Sequence, residues 1–241
     1  MIKIGLYIVV LMMFLSGCAV MNTSMMETAE TVEPGHPKFG VEYGYGLDLT
    51  STMIITSIEP NEETAFDAAG LLSLPVYGMK AGIGLADNID INGKVWVSLG
   101  GVGSKVYLKY RLPYESEKAA IAIMPGMTFV TTESDDEEDE NTIELAEINS
   151  YGFELPFLAT YRVGSALAVT GMARYSADFI SIVEADIDEA FMLNRFGFVG
   201  GLSLELGPLY FRPEVGVEMA SQQYGSFGMA PIFAIGAGFD F

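Results

Sequence analysis

In 241 residues there is one cysteine, one histidine and one tryptophan, and only 12 Lys and Arg stand against 32 Asp and Glu. Each shortage excludes something. The single Cys18 has no partner for an intramolecular disulfide. One His and one Cys supply no ligand set for a zinc site and no His-centred catalytic group, so no catalytic residue is assigned. The net charge of −20 sets nucleic acid aside, because the chain would repel phosphates. No apolar run after residue 18 is long enough to cross a bilayer as a helix, so membrane insertion uses strands or does not occur. The Gly-x-Gly pairs precede no helix and are not phosphate loops. No cofactor is expected.

What is present is alternation. The stretch Met229–Phe241 places Met229, Pro231, Phe233, Ile235, Ala237, Phe239 and Phe241 at every second position, with small or polar residues between and Ile232 as the exception. Period two is the signature of a strand whose two faces meet different surroundings. The same pattern recurs at 39–49, 74–86, 89–99, 102–112, 119–131, 151–163, 167–176, 193–206 and 209–219. Ten strands result, with eight and twelve as alternatives. Residues 52–58 and 179–183 are further strand or extension candidates.

The charges choose between the faces. Nine of the 12 basic residues share the face opposite the apolar one: Lys80, Lys94, Lys105, Lys109, Arg111, Arg162, Arg174, Arg195 and Arg212. Eight acids join them: Glu42, Asp48, Asp90, Glu154, Glu205, Glu214, Glu218 and Asp240. A soluble sandwich or barrel shows the reverse, with aliphatics inside. A charged interior inside an apolar exterior is the pattern of a transmembrane antiparallel up-and-down β-barrel, where a midplane Lys or Arg facing lipid costs about 2–4 kcal/mol. Outward aromatics gather at two levels: Tyr77, Phe129, Tyr151, Tyr175 and Phe196 towards one end, Phe39, Tyr110, Tyr161, Phe211 and Phe241 towards the other. The inward charges read most simply as a paired polar core, with Trp96, Tyr107 and Tyr210 filling the cross-section. A narrow charged pore is the alternative.

Two stretches carry a family resemblance. The terminal strand, with Phe233, Phe239 and a final Phe241, resembles the C-terminal signal of bacterial outer-membrane β-barrels, which implies handling by the outer-membrane barrel assembly machinery. Segments such as Gly84–Asn92 and Val106–Leu112 look like the general outer-membrane β-barrel domain group, whose functions are diverse. At the N-terminus, Lys3 precedes an apolar run that ends in Leu15-Ser16-Gly17-Cys18. This resembles the lipobox of bacterial lipoproteins and implies removal of 1–17 and lipidation of Cys18. An ordinary secretory signal cut near Ala19 is the other reading. Residues 18–38 are then a lipidated N-terminus and periplasmic linker without periodicity, able to span roughly 65 Å from an inner-leaflet lipid. The barrel domain is 39–241.

Connections fit the same picture. Asp87-Asn88, Pro113–Glu117, Gly164-Ser165 and Gly207-Pro208 are short, while 50–73, 132–147 and 178–192 are long and hold 18 acids with no Lys or Arg. Short periplasmic turns and long external loops characterise this barrel class. The densest acids, Asp135, Asp136, Glu137, Glu138, Asp139 and Glu140, are weak divalent-cation candidates that match no EF-hand spacing. They could bridge cations to lipopolysaccharide, or keep a solvated loop mobile. The expectation is a non-enzymatic lipoprotein in the outer membrane, in contact with its lipid and lipopolysaccharide. A narrow passive channel and a soluble periplasmic barrel are the alternatives.

Overall fold

The computed structural model describes residues 20–22, 24–48, 73–98, 101–114, 116–132, 147–184, 187–222 and 227–240. A short pair, β1 (Val20–Met21), precedes β2 (Pro37–Asp48), β3 (Ser73–Ala86), β4 (Ile89–Ser98) and β5 (Gly101–Arg111). Then follow β6 (Ala119–Ile123), β7 (Gly126–Thr132), β8 (Glu147–Arg162), β9 (Leu167–Glu184), β10 (Ile187–Leu206), β11 (Leu209–Gln222) and β12 (Phe227–Asp240). β6 and β7 lie end to end between β5 and β8, so they form one stave. Each stave pairs antiparallel with its sequence neighbour, and β12 pairs with β2, which closes a ten-stranded barrel.

The break within the fifth stave has a local cause. Pro125 has no N–H to give to a ladder. Its carbonyl still accepts from Leu108 N (3.0 Å), and Met124 N donates to the carbonyl of Pro156 (2.9 Å), so pairing resumes on either side. Met124 turns fully inward.

Alternation along the staves sorts the side chains as the sequence leads one to expect. Val95, Val106, Phe157, Phe198 and Phe211 point outward and are exposed; Lys105, Lys109, Glu154, Arg174 and Arg195 point inward and are buried. Cross-strand aromatic pairs ring one level of the exterior: Tyr43–Tyr77 with centroids 5.1 Å apart, Phe129–Tyr151 at 5.7 Å and Tyr175–Phe196 at 5.0 Å. Phe39, Tyr110, Tyr161 and Phe211 are exposed at the other level. In a bilayer, Val106→Arg, at mid-stave on this exterior, is expected to cost about 2–4 kcal/mol. Denaturant titration of the protein in lipid vesicles checks it.

Two expectations are corrected here. The stretch 178–192 is not an open loop: β9 continues to Glu184 and β10 starts at Ile187, pairing throughout. β-branched and aromatic residues at Phe179, Ile180, Ile182 and Val183 keep the strand period, and Ile180 and Ile182 are buried inside the barrel. Asp178, counted by sequence among loop acids, is also buried inside. The expected solvated linker 18–38 is corrected too: of its described residues, 20–22 and 24–29 are buried inside the barrel.

Candidate functional site: an occupied lumen

The chain from Val20 to Val32 runs inside the barrel. At one end Val20 and Met21 pair antiparallel with Asp48 and Leu47 of β2. At the other, Gly35 donates to the carbonyl of Gly84 (2.8 Å) and His36 N donates to that of Glu33 (3.0 Å). Gly35 has φ of +82°, the left-handed conformation glycine takes without steric cost, and this lets the chain reverse into β2. The segment thus descends the lumen and β2 climbs back beside it. The barrel end at Glu33–His36 carries the short turns Asp87-Asn88, Gly164-Ser165 and Gly207-Pro208. The end at Val20 carries the long connections.

A segment with few regular backbone partners must satisfy its polar groups on the wall. Asn22 donates to Glu42, and its own Oδ1 accepts from Ser24 N (3.0 Å), an Asx turn. Lys94 Nζ reaches the carbonyl of Ser24 (2.8 Å) and Glu42 (2.6 Å). Met25 N and Met26 N both donate to Glu214 (3.2 and 2.7 Å). Met26 sits at φ of +51°, and its carbonyl accepts from Lys80 and Arg212. Ala29 N donates to Thr160 Oγ1 (2.8 Å) and Val32 N to Asp90 Oδ1 (3.2 Å).

Glu27 is the hub. Its buried carboxylate pairs with Lys38 (2.9 Å), Lys80 (3.1 Å) and Lys109 (3.1 Å), and it accepts from the Tyr107 hydroxyl (3.2 Å). Asp90 supplies the second charge for Lys38 (3.2 Å) and Lys109 (3.0 Å). Nearer the short-turn mouth, Glu30 pairs with Arg162, which also holds Glu205 (2.9 Å). The wall formed by β9–β11 has its own chain of charges: Arg174–Glu218, Arg195–Glu218 (2.8 Å) and Arg195–Asp178 (2.7 Å). Lys105 pairs with Glu154 (2.8 Å) and Arg212 with Asp240 (2.7 Å). Arg111 is half-buried and lines a cavity of about 350 Å³ at the short-turn mouth, with Glu27, Arg162 and Arg212 along its wall.

Among the described residues the inward wall has ten cations: the nine expected from sequence plus Lys38. It has eight acids: Glu42, Asp90, Glu154, Asp178, Glu205, Glu214, Glu218 and Asp240. The side chain of Asp48 lies outside the description. Glu27 and Glu30 of the segment make up the difference. Buried charge demands such pairing, because a lone ion in a low dielectric is costly.

Apolar layers separate these charges. Val20 and Met21 pack with Leu47, Val76, Trp96, Val130, Ile148, Ile180, Ile182 and Leu193 towards the long-connection end. Met25 and Ala29 pack with Tyr107, Met124, Leu158, Met172, Val199 and Ile232 below. Ile232, the exception to the alternation of the last strand, is therefore an inward side chain with an apolar neighbourhood. Methionines suit such irregular gaps because the side chain is flexible.

Two aromatics need missing side chains. A Cβ at Gly103 would overlap the indole of Trp96, whose Nε1 donates to the carbonyl of Val20 (2.9 Å). Cβ atoms at Gly40 and Gly238 would overlap the Tyr210 hydroxyl, whose ring lies 3.8 Å from the Arg212 guanidinium carbon. Since Trp96 is the one tryptophan, its emission reports on the segment. Gly103→Ala should drive the indole off Val20 and shift emission to the red; an unchanged spectrum would mean that the indole does not hold the segment.

Of the other residues singled out by sequence, Phe233 and Phe239 are exposed on the exterior. His36 is exposed beside Glu33 (Nδ1 to Oε2, 3.7 Å). Cys18, Phe241 and the acids Asp135, Asp136, Glu137, Glu138, Asp139 and Glu140 lie outside the described residues.

No family model matches the sequence, and no curated protein matches it either. Solved structures do show overlap. The outer membrane protease OmpT from Escherichia coli aligns with a TM-score of 0.45 at 8% identity, over 86% of this chain and 94% of that one. Ail, the attachment invasion locus protein of Yersinia pestis, gives 0.40 at 10% identity, over 86% and 99%. The KdgM porin gives 0.35 at 12% identity, over 86% and 99%.

Proposed function

We propose that this chain is an outer-membrane barrel that does not conduct, closed by its own N-terminal segment, and that it serves as a non-enzymatic lipoprotein displaying acidic connections at the cell surface. The observation that carries the reading is Glu27, held inside the lumen by three wall lysines. The apolar exterior and the two aromatic levels support a membrane setting. The inward carboxylates Glu214 and Glu218, which could in principle do acid–base work, are engaged by Met25, Met26, Arg174 and Arg195. The acids at 133–146 and 49–72 are the candidates for contact with lipopolysaccharide through divalent cations.

Planar-bilayer recording of the refolded full chain tests this. The reading expects silence from protein whose gel mobility changes on heating, the mark of a folded barrel. Discrete ion-selective steps would favour the passive-channel alternative. Calcium-dependent protection of 133–146 from protease tests the cation contact, and cleavage that is the same with chelator would remove it.

A further inference from the structure

The seam that closes the barrel is incomplete, and the N-terminal segment sits at the gap. β2 and β12 pair from Lys38–Asp240 only as far as Gly44–Ala234. Beyond that level β12 continues to pair with β11 up to Phe227, while β2 continues to pair with β3 up to Leu47. The free edge of β2 there takes Met21 and Val20 in place of β12. Both are buried, and a Cβ on Gly46 would run into Val20 and Met21, so the segment presses on β2 from close range.

We infer that the chain enters the barrel from the long-connection face, at this split seam, so that the N-terminus lies outside the cell rather than in the periplasm. From Val20 the segment runs away from that face, reaching the short turns at Glu33. Residues upstream of Val20 therefore start at the level of Asp48 and Trp96. Two residues of chain reach about 7 Å, far less than the barrel's height, so Cys18 cannot return to the short-turn face. Going back through the lumen is also closed, because the apolar cluster around Val20, Met21 and Trp96 packs the level the chain would have to pass. A filled lumen adds a condition on assembly: the staves must close around the segment, since it cannot be threaded afterwards.

The inference rests on the proposed outer-membrane orientation, and the test separates the two. An epitope is inserted in the full chain between Ala19 and Val20, between Asp139 and Glu140, or between Gly164 and Ser165, and antibody binding is compared on intact and permeabilised bacteria. Heat-modifiable mobility checks that each chain folds. The expected result is that the first two epitopes bind antibody on intact cells and the third only after permeabilisation. If the 139/140 epitope is reached on intact cells and the 19/20 epitope is not, the direction of threading is wrong while the orientation stands. If only the 164/165 epitope is reached on intact cells, the orientation fails, and the external N-terminus fails with it.

Discussion

Deleting residues 20–33 is expected to turn a silent barrel into a conducting one. The segment supplies side chains to both apolar clusters of the lumen and the carboxylates of the Glu27 and Glu30 ion pairs, so its removal opens all of them together. What remains is a wall with ten inward cations against eight acids among the described residues. The open pore should therefore prefer anions, since the wall charge sets the selectivity of a narrow pore. Loss of Val20 also removes the acceptor of the Trp96 indole, and emission should move to the red as water reaches it. Bilayer recording and fluorescence on the same preparation read both effects. A folded deletion variant that stays silent would mean that the wall side chains alone close the lumen.

Glu27→Gln should be the most destabilising single change in the segment. Gln keeps the volume and an oxygen acceptor but removes the charge that three buried lysines share. Lys38 and Lys109 keep Asp90, and Lys80 keeps the carbonyl of Met26, so compensation is partial. Removing one partner of a buried ionic cluster leaves uncompensated charge and costs about 3–5 kcal/mol. Glu33→Gln is the control. It lies on the same segment but is exposed beside His36, and surface changes of that kind stay within about 0.5 kcal/mol. Equal stability of the two variants in denaturant titrations would remove Glu27 from its position as hub.

The wall of this barrel was legible because strand periodicity is strict. Side chains alternate at every residue, so a Lys at 105 or an Arg at 195 declares which face is wet. The turn pairs at 87–88, 164–165 and 207–208 declared where strands end. The occupant was not legible, because it has no period. Residues 20–33 pair with side chains of many staves rather than with one neighbouring strand, and their order reflects the shape of the cavity. Thr, Ser, Asn and Glu in such a run look like a solvated linker. The signal available was stoichiometric. Lys38 stands one residue before the first strand as read from sequence, and it belongs to the inward face. Asp178 stands at the end of an assumed loop, and it belongs there too. Counting both gives ten cations against nine acids when Asp48 is read inward, so the wall stays one negative charge short, and Glu27 and Glu30 are acids just upstream that the strand pattern leaves unassigned. The length of β9 and β10 beyond residue 178 was half legible: Phe179–Val183 keeps the alternation, but the acids at 184, 186, 188 and 189 hide its continuation.

The most direct test of the occupied lumen needs no mutation. Hydrogen–deuterium exchange of the folded full chain, read residue by residue over 24–32, reports whether these amides are held. Met25 and Met26 donate to Glu214, and Ala29 donates to Thr160, all inside the barrel. The account predicts that these three amides exchange as slowly as those of β3 and β4. Exchange at the rate of an unstructured peptide, with the staves protected, would contradict it and return residues 20–33 to the role of a free linker.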